Sequence, residues 1–303
     1  MSAGTYWLWN GQQWLNEFTW SCADRALNYG DGLFETMRFD QQGDVPLWAF
    51  HVERIQQGVS ALSFPYESFH EIEIAFSDLP ATLRKGGGKL LISRGVGERG
   101  YAPAADAKVQ LLWHSFDAPD WGVNRFPHGF KAELSPIKLA HQPLLAGIKH
   151  LNRLEQVLIR SRFSDGCQEA VVCDQNDQVV EGCMSNLFIL KNGQLLTPCI
   201  ENSGVNGVVR RWLIENHLVK VVALTFDDLI SAEAMFFCNS LNGIVPVNQL
   251  GEHQYSQTHE SWQIILKLQQ KLEALFCLNV LASLLVSCVF CCAGQLFHCG
   301  IYH

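Results

Sequence analysis

The stretch "LLAGIKHLNRLEQVLIRS", residues 144–161, decides how the rest of the chain is read. An apolar approach ends in Gly147, Lys149 follows, and Leu151, Leu154, Val157 and Leu158 recur at three- and four-residue spacing. Asn152, Glu155, Gln156 and Arg160 fill the other positions. This spacing predicts a helix that begins beside Lys149 and turns its apolar stripe to the core. The first turn of a helix carries unpaired N–H groups and the positive end of the macrodipole. A cation there is destabilised, and Ile148 and Leu151 add a desolvation cost, so both effects lower a lysine pKa towards neutrality. A neutral amine is a nucleophile that can form a Schiff base with an aldehyde. A lysine extended to water from a loop explains the same residues. The segment alone leaves both open.

Outward from it, short strands outnumber helices. "TYWLWNGQQWL" predicts a hairpin around Asn10-Gly11. "GLFETMRFD" (32–40) and "DVPLWAF" (44–50) predict strands, "HVERIQQGVSAL" (51–62) a helix, and "GKLLIS" and "KVQLLWHSF" further strands. Turn formers crowd "DAPDWGVNRFP", which marks 117–127 as a linker between residues 1–116 and 128–273. Beyond it come "FKAELSPIKLA", then "EAVVCD", "QVVEG" and "NLFILKNGQLLTP" with a turn at Asn192-Gly193. A helix over 206–217, "VKVVALTF", a short helix near 227–233, "AMFFCNS" and "GIVPV" follow. Runs of strands with few helices predict α+β architecture in two domains, not a doubly wound sheet.

Hydrophobic residues at 48% and charged residues at 17% describe an ordered globular chain. A net charge of −8 gives no electrostatic reason to bind nucleic acid or an anionic membrane. The start lacks a basic segment followed by an apolar run, so no secretory signal is read. On that basis Cys22, Cys167, Cys173, Cys183, Cys199 and Cys238 are expected reduced, in the cytosol. Glu273 is the last charged residue, and 274–303 is apolar and cysteine-rich. Residues 275–297 are long enough for a membrane anchor. A tail packed on a dimer and a non-native extension are the alternatives, and the abrupt change in composition favours the last. Cys288 and Cys291 lack a second ligand pair at zinc-site spacing, so no metal is predicted.

Several motifs carry chemistry. "GVGERG" (95–100) matches the dinucleotide pattern, but that site needs a helix opening on the glycines, and "YAPAADAK" with Pro103 predicts none. Arg94 and Arg99 instead offer forked carboxylate binding. "NSGVNGVVRRWLIEN" (202–216) places Gly204 and Gly207 around Val205-Asn206 at a helix start, where N–H groups and the dipole can meet a phosphate. An ordinary cap by Asn206 reads equally well. "CNSLNG" adds Asn239 and Ser240 as donors. "VVEGCMSNLF" puts Glu181 at a strand end, with Ser185 and Asn186 in the next turn, able to pair with a protonated ring nitrogen. A Schiff-base lysine, an acid, a phosphate cradle and arginines for carboxylates together suggest a pyridoxal phosphate site.

"ALNYGDGLFET", "HVERI", "SRGVGERGY", "LAGIKHLNRLEQVLIR", "VVEGCMSNLFILKNG", "SGVNGVVR" and "CNSLNGIVPV" occur in order. Over about residues 5–272 they resemble the aminodeoxychorismate lyases, within the fold-type IV pyridoxal phosphate enzymes. That superfamily also holds the branched-chain and D-amino-acid aminotransferases, the alternative activity. The resemblance implies a small N-terminal α+β domain, a larger C-terminal domain with mostly antiparallel strands, and a homodimer. By motif, Lys149 would carry the cofactor covalently and Glu181 would pair with the pyridine nitrogen. Arg54, backbone groups of Val205 and Asn206, and Ser240 would hold the phosphate. Arg99, Tyr101 and Tyr29 would face substrate. The implied substrate is 4-amino-4-deoxychorismate, supplied by a separate synthase. A binding protein without chemistry is the rival from another class.

Overall fold

A computed structural model describes residues 5–65 and 67–277. Two sheets organise them. The first is built from β1 (Thr5–Trp9), β2 (Trp14–Leu15), β3 (Gly32–Arg38), β4 (Gly87–Ser93) and β5 (Gln110–Phe116), in the order β2-β1-β5-β4-β3, all antiparallel. Its connections carry α1 (Arg25–Tyr29), α2 (Trp48–Ala61) and α3 (Glu67–Ser77). Trp9, Met37, Ile55, Ile72, Leu90, Ile92, Leu111 and Trp113 form the core between helices and sheet. The Asn10-Gly11 hairpin closes with Trp9 opposite Trp14.

After α4 (Gly122–Arg125) comes the second sheet. It holds β6 (Phe130–Leu134), β7 (Glu169–Cys173), β8 (Val179–Gly182), β9 (Asn186–Lys191), β10 (Gln194–Pro198), β11 (Val219–Val222), β12 (Ala234–Asn239) and β13 (Gly243–Leu250). The order is β11-β10-β9-β12-β13-β6-β7-β8, with β14 (His253–Gln254) paired to β13. Most pairings are antiparallel, and β10–β11, β13–β6 and β6–β7 are parallel. α5 (Leu154–Arg160), α6 (Val208–Asn216), α7 (Phe226–Ile230) and α8 (Glu260–Leu275) are the remaining α-helices among the described residues. β9 is apolar from Leu187 to Leu190 and β12 from Ala234 to Cys238 because both faces are covered there. Leu187, Ile189, Met235 and Phe237 face one core, and Phe188, Leu190, Phe236 and Cys238 the other.

Three expectations need correction. Residues 44–50 are not a strand. Val45 and Pro46 turn the chain and α2 starts at Trp48, whose ring stacks on Phe76 at 3.8 Å. Proline lacks the N–H that a strand there would donate, and the Trp48–Phe76 stack draws the segment into a helix. Helices α3 and α8 lie where no helix was read. The helix expected at Lys149 begins instead at Leu154.

Residues 149–151 are extended. Phe34 donates its N–H to the Lys149 carbonyl (2.9 Å), and Leu151 donates to Gly32 (2.9 Å). The segment thus completes the free edge of β3, and backbone pairing outweighs the helical spacing. The apolar stripe fails with it: Leu154, Val157 and Leu158 are 77%, 60% and 50% exposed, while Ile159 is buried. Among the described residues no helix is long and apolar enough to cross a membrane. The tail from 278 onwards, with Cys288 and Cys291, lies outside the described residues.

Candidate active site

The free edge of β3 places the site. Its pairing with residues 149–151 sends Lys149 into a cavity of about 810 Å³ between the two sheets, lined also by Phe34, Arg54, Arg153, Glu181 and Ser240. The Lys149 Nζ lies 4.4 Å from the Phe34 ring centroid and has no hydrogen-bond or ion-pair partner among the described residues. Burial, with the Arg54 charge nearby, pushes its pKa down from 10.5 to about 7. The macrodipole contributes nothing, because its effect fades within one turn and α5 starts five residues later. Of the two effects read from the sequence, desolvation acts here and the helix end does not, and it brings the amine close to neutrality.

Glu181, at the end of β8, is buried and accepts the Val205 N–H at 2.8 Å. Burial raises its pKa from 4.5 to about 7, against the hydrogen bond from Val205 and the charge of Arg153. A carboxylate in this state gains from a cation placed against it.

Arg54, on α2, is buried and held twice by Glu35 of β3: Nε to Oε1 at 2.8 Å and Nη2 to Oε2 at 2.6 Å. Its Nη1 donates to the Asn206 carbonyl (3.0 Å). His51 Nδ1 lies 2.6 Å from the same Glu35 carboxylate. Burial alone would raise the Glu35 pKa, but Arg54 and His51 outweigh it and hold the group at about 2. The guanidinium is therefore fixed in place as well as charged.

At the other wall, the Val205 N–H is given to Glu181 and the Asn206 N–H to the Gly147 carbonyl (2.9 Å). Neither remains for an anion, so the placement of phosphate donors at these two residues is corrected. Helix α6 begins at Val208 with no side-chain cap. The N–H groups of Val208 and Val209, both lining the cavity, have no acceptor within the helix. Ser240 lines the cavity too, with its hydroxyl donated to Thr36 O at 2.7 Å.

Tyr29, Arg99 and Tyr101 are not brought to this cavity. The Tyr29 hydroxyl accepts the Gly100 N–H (3.2 Å), the two tyrosine rings meet edge-on at 5.4 Å, and Arg99, next to Gly100 in the same loop, is exposed. Arg94 is not a free guanidinium. It is buried, donating to Asp31 (2.7 Å), Leu62 O (2.6 Å) and Ser63 O (3.1 Å). Asn239 accepts from the Leu241 and Asn242 N–H groups and donates to Met184 O (3.4 Å). Sequence reasoning missed Glu35, Arg153, Val208 and Val209. "FETMR" gives no local sign that its glutamate pairs with α2.

A family model for amino-transferase class IV matches residues 32–250. The chain is 36% identical over 235 residues to an aminodeoxychorismate lyase of Vibrio harveyi, covering 74% of this chain and 85% of that one. It is 30% identical over 263 residues to a putative branched-chain-amino-acid aminotransferase of Methanocaldococcus jannaschii, covering 83% and 89%. The crystal structure of 4-amino-4-deoxychorismate lyase from Pseudomonas aeruginosa superposes with a TM-score of 0.80 at 35% identity, covering 89% of this chain and 98% of that one.

Proposed function

The chain belongs to the class IV aminotransferase family, and from that premise we propose that it is a pyridoxal phosphate-dependent lyase. Its reaction is the conversion of 4-amino-4-deoxychorismate to 4-aminobenzoate and pyruvate, a step towards folate. The observation that carries the reading is the unpartnered Lys149 amine, with its pKa near 7, in one cavity with Glu181 and Arg54. Similarity at 36% and 35% to two lyases supports the lyase over the transaminase.

The residues present fit the cofactor. When bound, pyridoxal 5′-phosphate supplies an aldehyde for the Lys149 amine and a protonated ring that draws electron density from the substrate carbon bearing the amine. Lys149, close to neutrality, is suited to take the proton from that carbon. Loss of the enolpyruvyl group as pyruvate leaves an aromatic ring, a driving force that transamination lacks. Glu181 would face the ring nitrogen and, with a cation against it, would hold its carboxylate ionised. Arg54 and the N–H groups of Val208 and Val209 would hold the phosphate, joined by Ser240 once its hydroxyl turns from Thr36. Because Arg99, Tyr101 and Tyr29 stand away from their own Lys149, the reading has them serve substrate in a homodimer, across the interface. It also treats 1–116 and 128–273 as two domains joined through 117–127, in a cytosolic enzyme fed by a separate synthase.

The test is direct. Purified protein should show a visible cofactor band, borohydride should trap the cofactor on Lys149 by mass spectrometry, and 4-amino-4-deoxychorismate should yield pyruvate. Conversion of the cofactor to its amine form by a D- or branched-chain amino acid alone, without pyruvate from the lyase substrate, would move the assignment to an aminotransferase.

A further inference from the structure

The glycine pattern "GVGERG" opens no nucleotide-binding helix, since the chain runs from β4 through a loop to β5, and the lysine cavity does not use it. What it surrounds is Arg25. This side chain is 4% exposed. Its Nε donates to Asp31 (2.7 Å), and its two terminal nitrogens reach three successive carbonyls: Tyr101 at 2.7 Å, Gly100 at 3.1 Å and Ala102 at 3.4 Å.

The backbone agrees with the side chain. Arg25 N–H donates to Gly95 O (2.9 Å), and Gly97 N–H donates to Ala23 O (3.3 Å). A Cβ on Gly97 would lie 2.9 Å from Arg25 Cδ, and Gly95 holds a φ of +96°, so the two glycines make room for the arginine and turn the chain around it. Asp31, which anchors Arg25, is itself shared with the buried Arg94. The carbonyls of 100–102 point inward, and the Tyr101 side chain is left 85% exposed.

We propose that Arg25 is the positioning residue that presents Arg99 and Tyr101 to a substrate carboxylate. The inference rests on the reading above that this loop serves substrate. Three carbonyls in a row need a planar fork of donors, which a lysine cannot reproduce. A loop released by a fraction of an ångström loses carboxylate binding before it loses chemistry.

Arg25→Lys should therefore raise KM for 4-amino-4-deoxychorismate by about 10-fold, with kcat within about threefold and the cofactor band unchanged. Asp31→Asn, which keeps the shape and removes the anchoring charge, should move KM the same way and decides the matter if Arg25→Lys does not fold. Because Arg25 acts through the loop, Arg25→Lys should raise KM by a smaller factor in an Arg99→Gln background, where only Tyr101 is left to misplace, than in wild type. Trypsin should cut after Arg99 faster in Arg25→Lys than in wild type. Additive KM effects, an unchanged KM in both single variants, or an unchanged KM in Arg99→Gln would overturn the proposal. Wild-type protein that releases no pyruvate would overturn the lyase reading instead; the proteolysis then stands alone, and equal cutting rates would overturn the clamp.

Discussion

Lys149 and Arg99 lie in two irregular stretches, each beside a left-handed glycine, and the chain encloses one and turns the other outward. Around Lys149 the backbone pairs with β3, and the amine faces a cavity bounded by its own sheets. The 94–102 loop is held as firmly, by Arg25 and Tyr29, yet Tyr101 is 85% exposed and Arg99 lies open. Val157 and Met184, which line the Lys149 cavity, are 60% and 56% exposed. The groups proposed for proton transfer and phosphate line one cavity within one chain, and those proposed for substrate are displayed outside it. A twofold partner that covers Val157 and Met184 would close that gap.

The largest expected effect removes the enclosed half: Lys149→Ala should lower pyruvate release by about 10⁴-fold and abolish borohydride trapping. Glu35→Gln should come next. It leaves buried Arg54 and His51 without their anion, and urea unfolding should show a loss of about 3–5 kcal/mol. With a folded pKa of about 2 against the ordinary 4.5, the Glu35 contribution is full above that ordinary value and drains as pH falls towards 2. An unfolding midpoint insensitive to acid across that window would refute the assignment.

On the displayed side, Leu158→Asp should convert a dimer to monomers by sedimentation while monomer stability changes by less than about 0.5 kcal/mol. A chain already monomeric before the change would break the comparison. The smallest effect is a profile. Capture of added pyridoxal phosphate by apoprotein should rise about tenfold per pH unit below 7 and flatten above it, since only the neutral amine attacks. A rate still climbing at about pH 9 would return Lys149 to an ordinary lysine.

How much was legible varied with the range of the force. The hairpin at Asn10-Gly11, the turn at Asn192-Gly193 and the buried strands β9 and β12 follow from local turn chemistry and apolar runs. The helix at Lys149 failed because its spacing was genuine but its stripe faces outward, so periodicity reported a surface and not the core. Val205 and Asn206 failed by one turn: nothing local says that Glu181 and Gly147 take their N–H groups. Arg94 and Arg99 are five residues apart and look alike in sequence, yet one is buried against Asp31 and the other exposed.

The amino-acid sequence by itself determined which chemical groups exist and in what order: one lysine after Gly147, an acid closing β8, glycines before α6, and a family pattern that covers nearly the whole described chain. Those follow from residue type and near-neighbour spacing. Only the tertiary structure decided how far the Lys149 pKa would fall towards neutrality, which N–H groups would be free and which arginines would be bound. Each of those depends on burial and on partners far away in sequence, and desolvation is a property of the assembled fold.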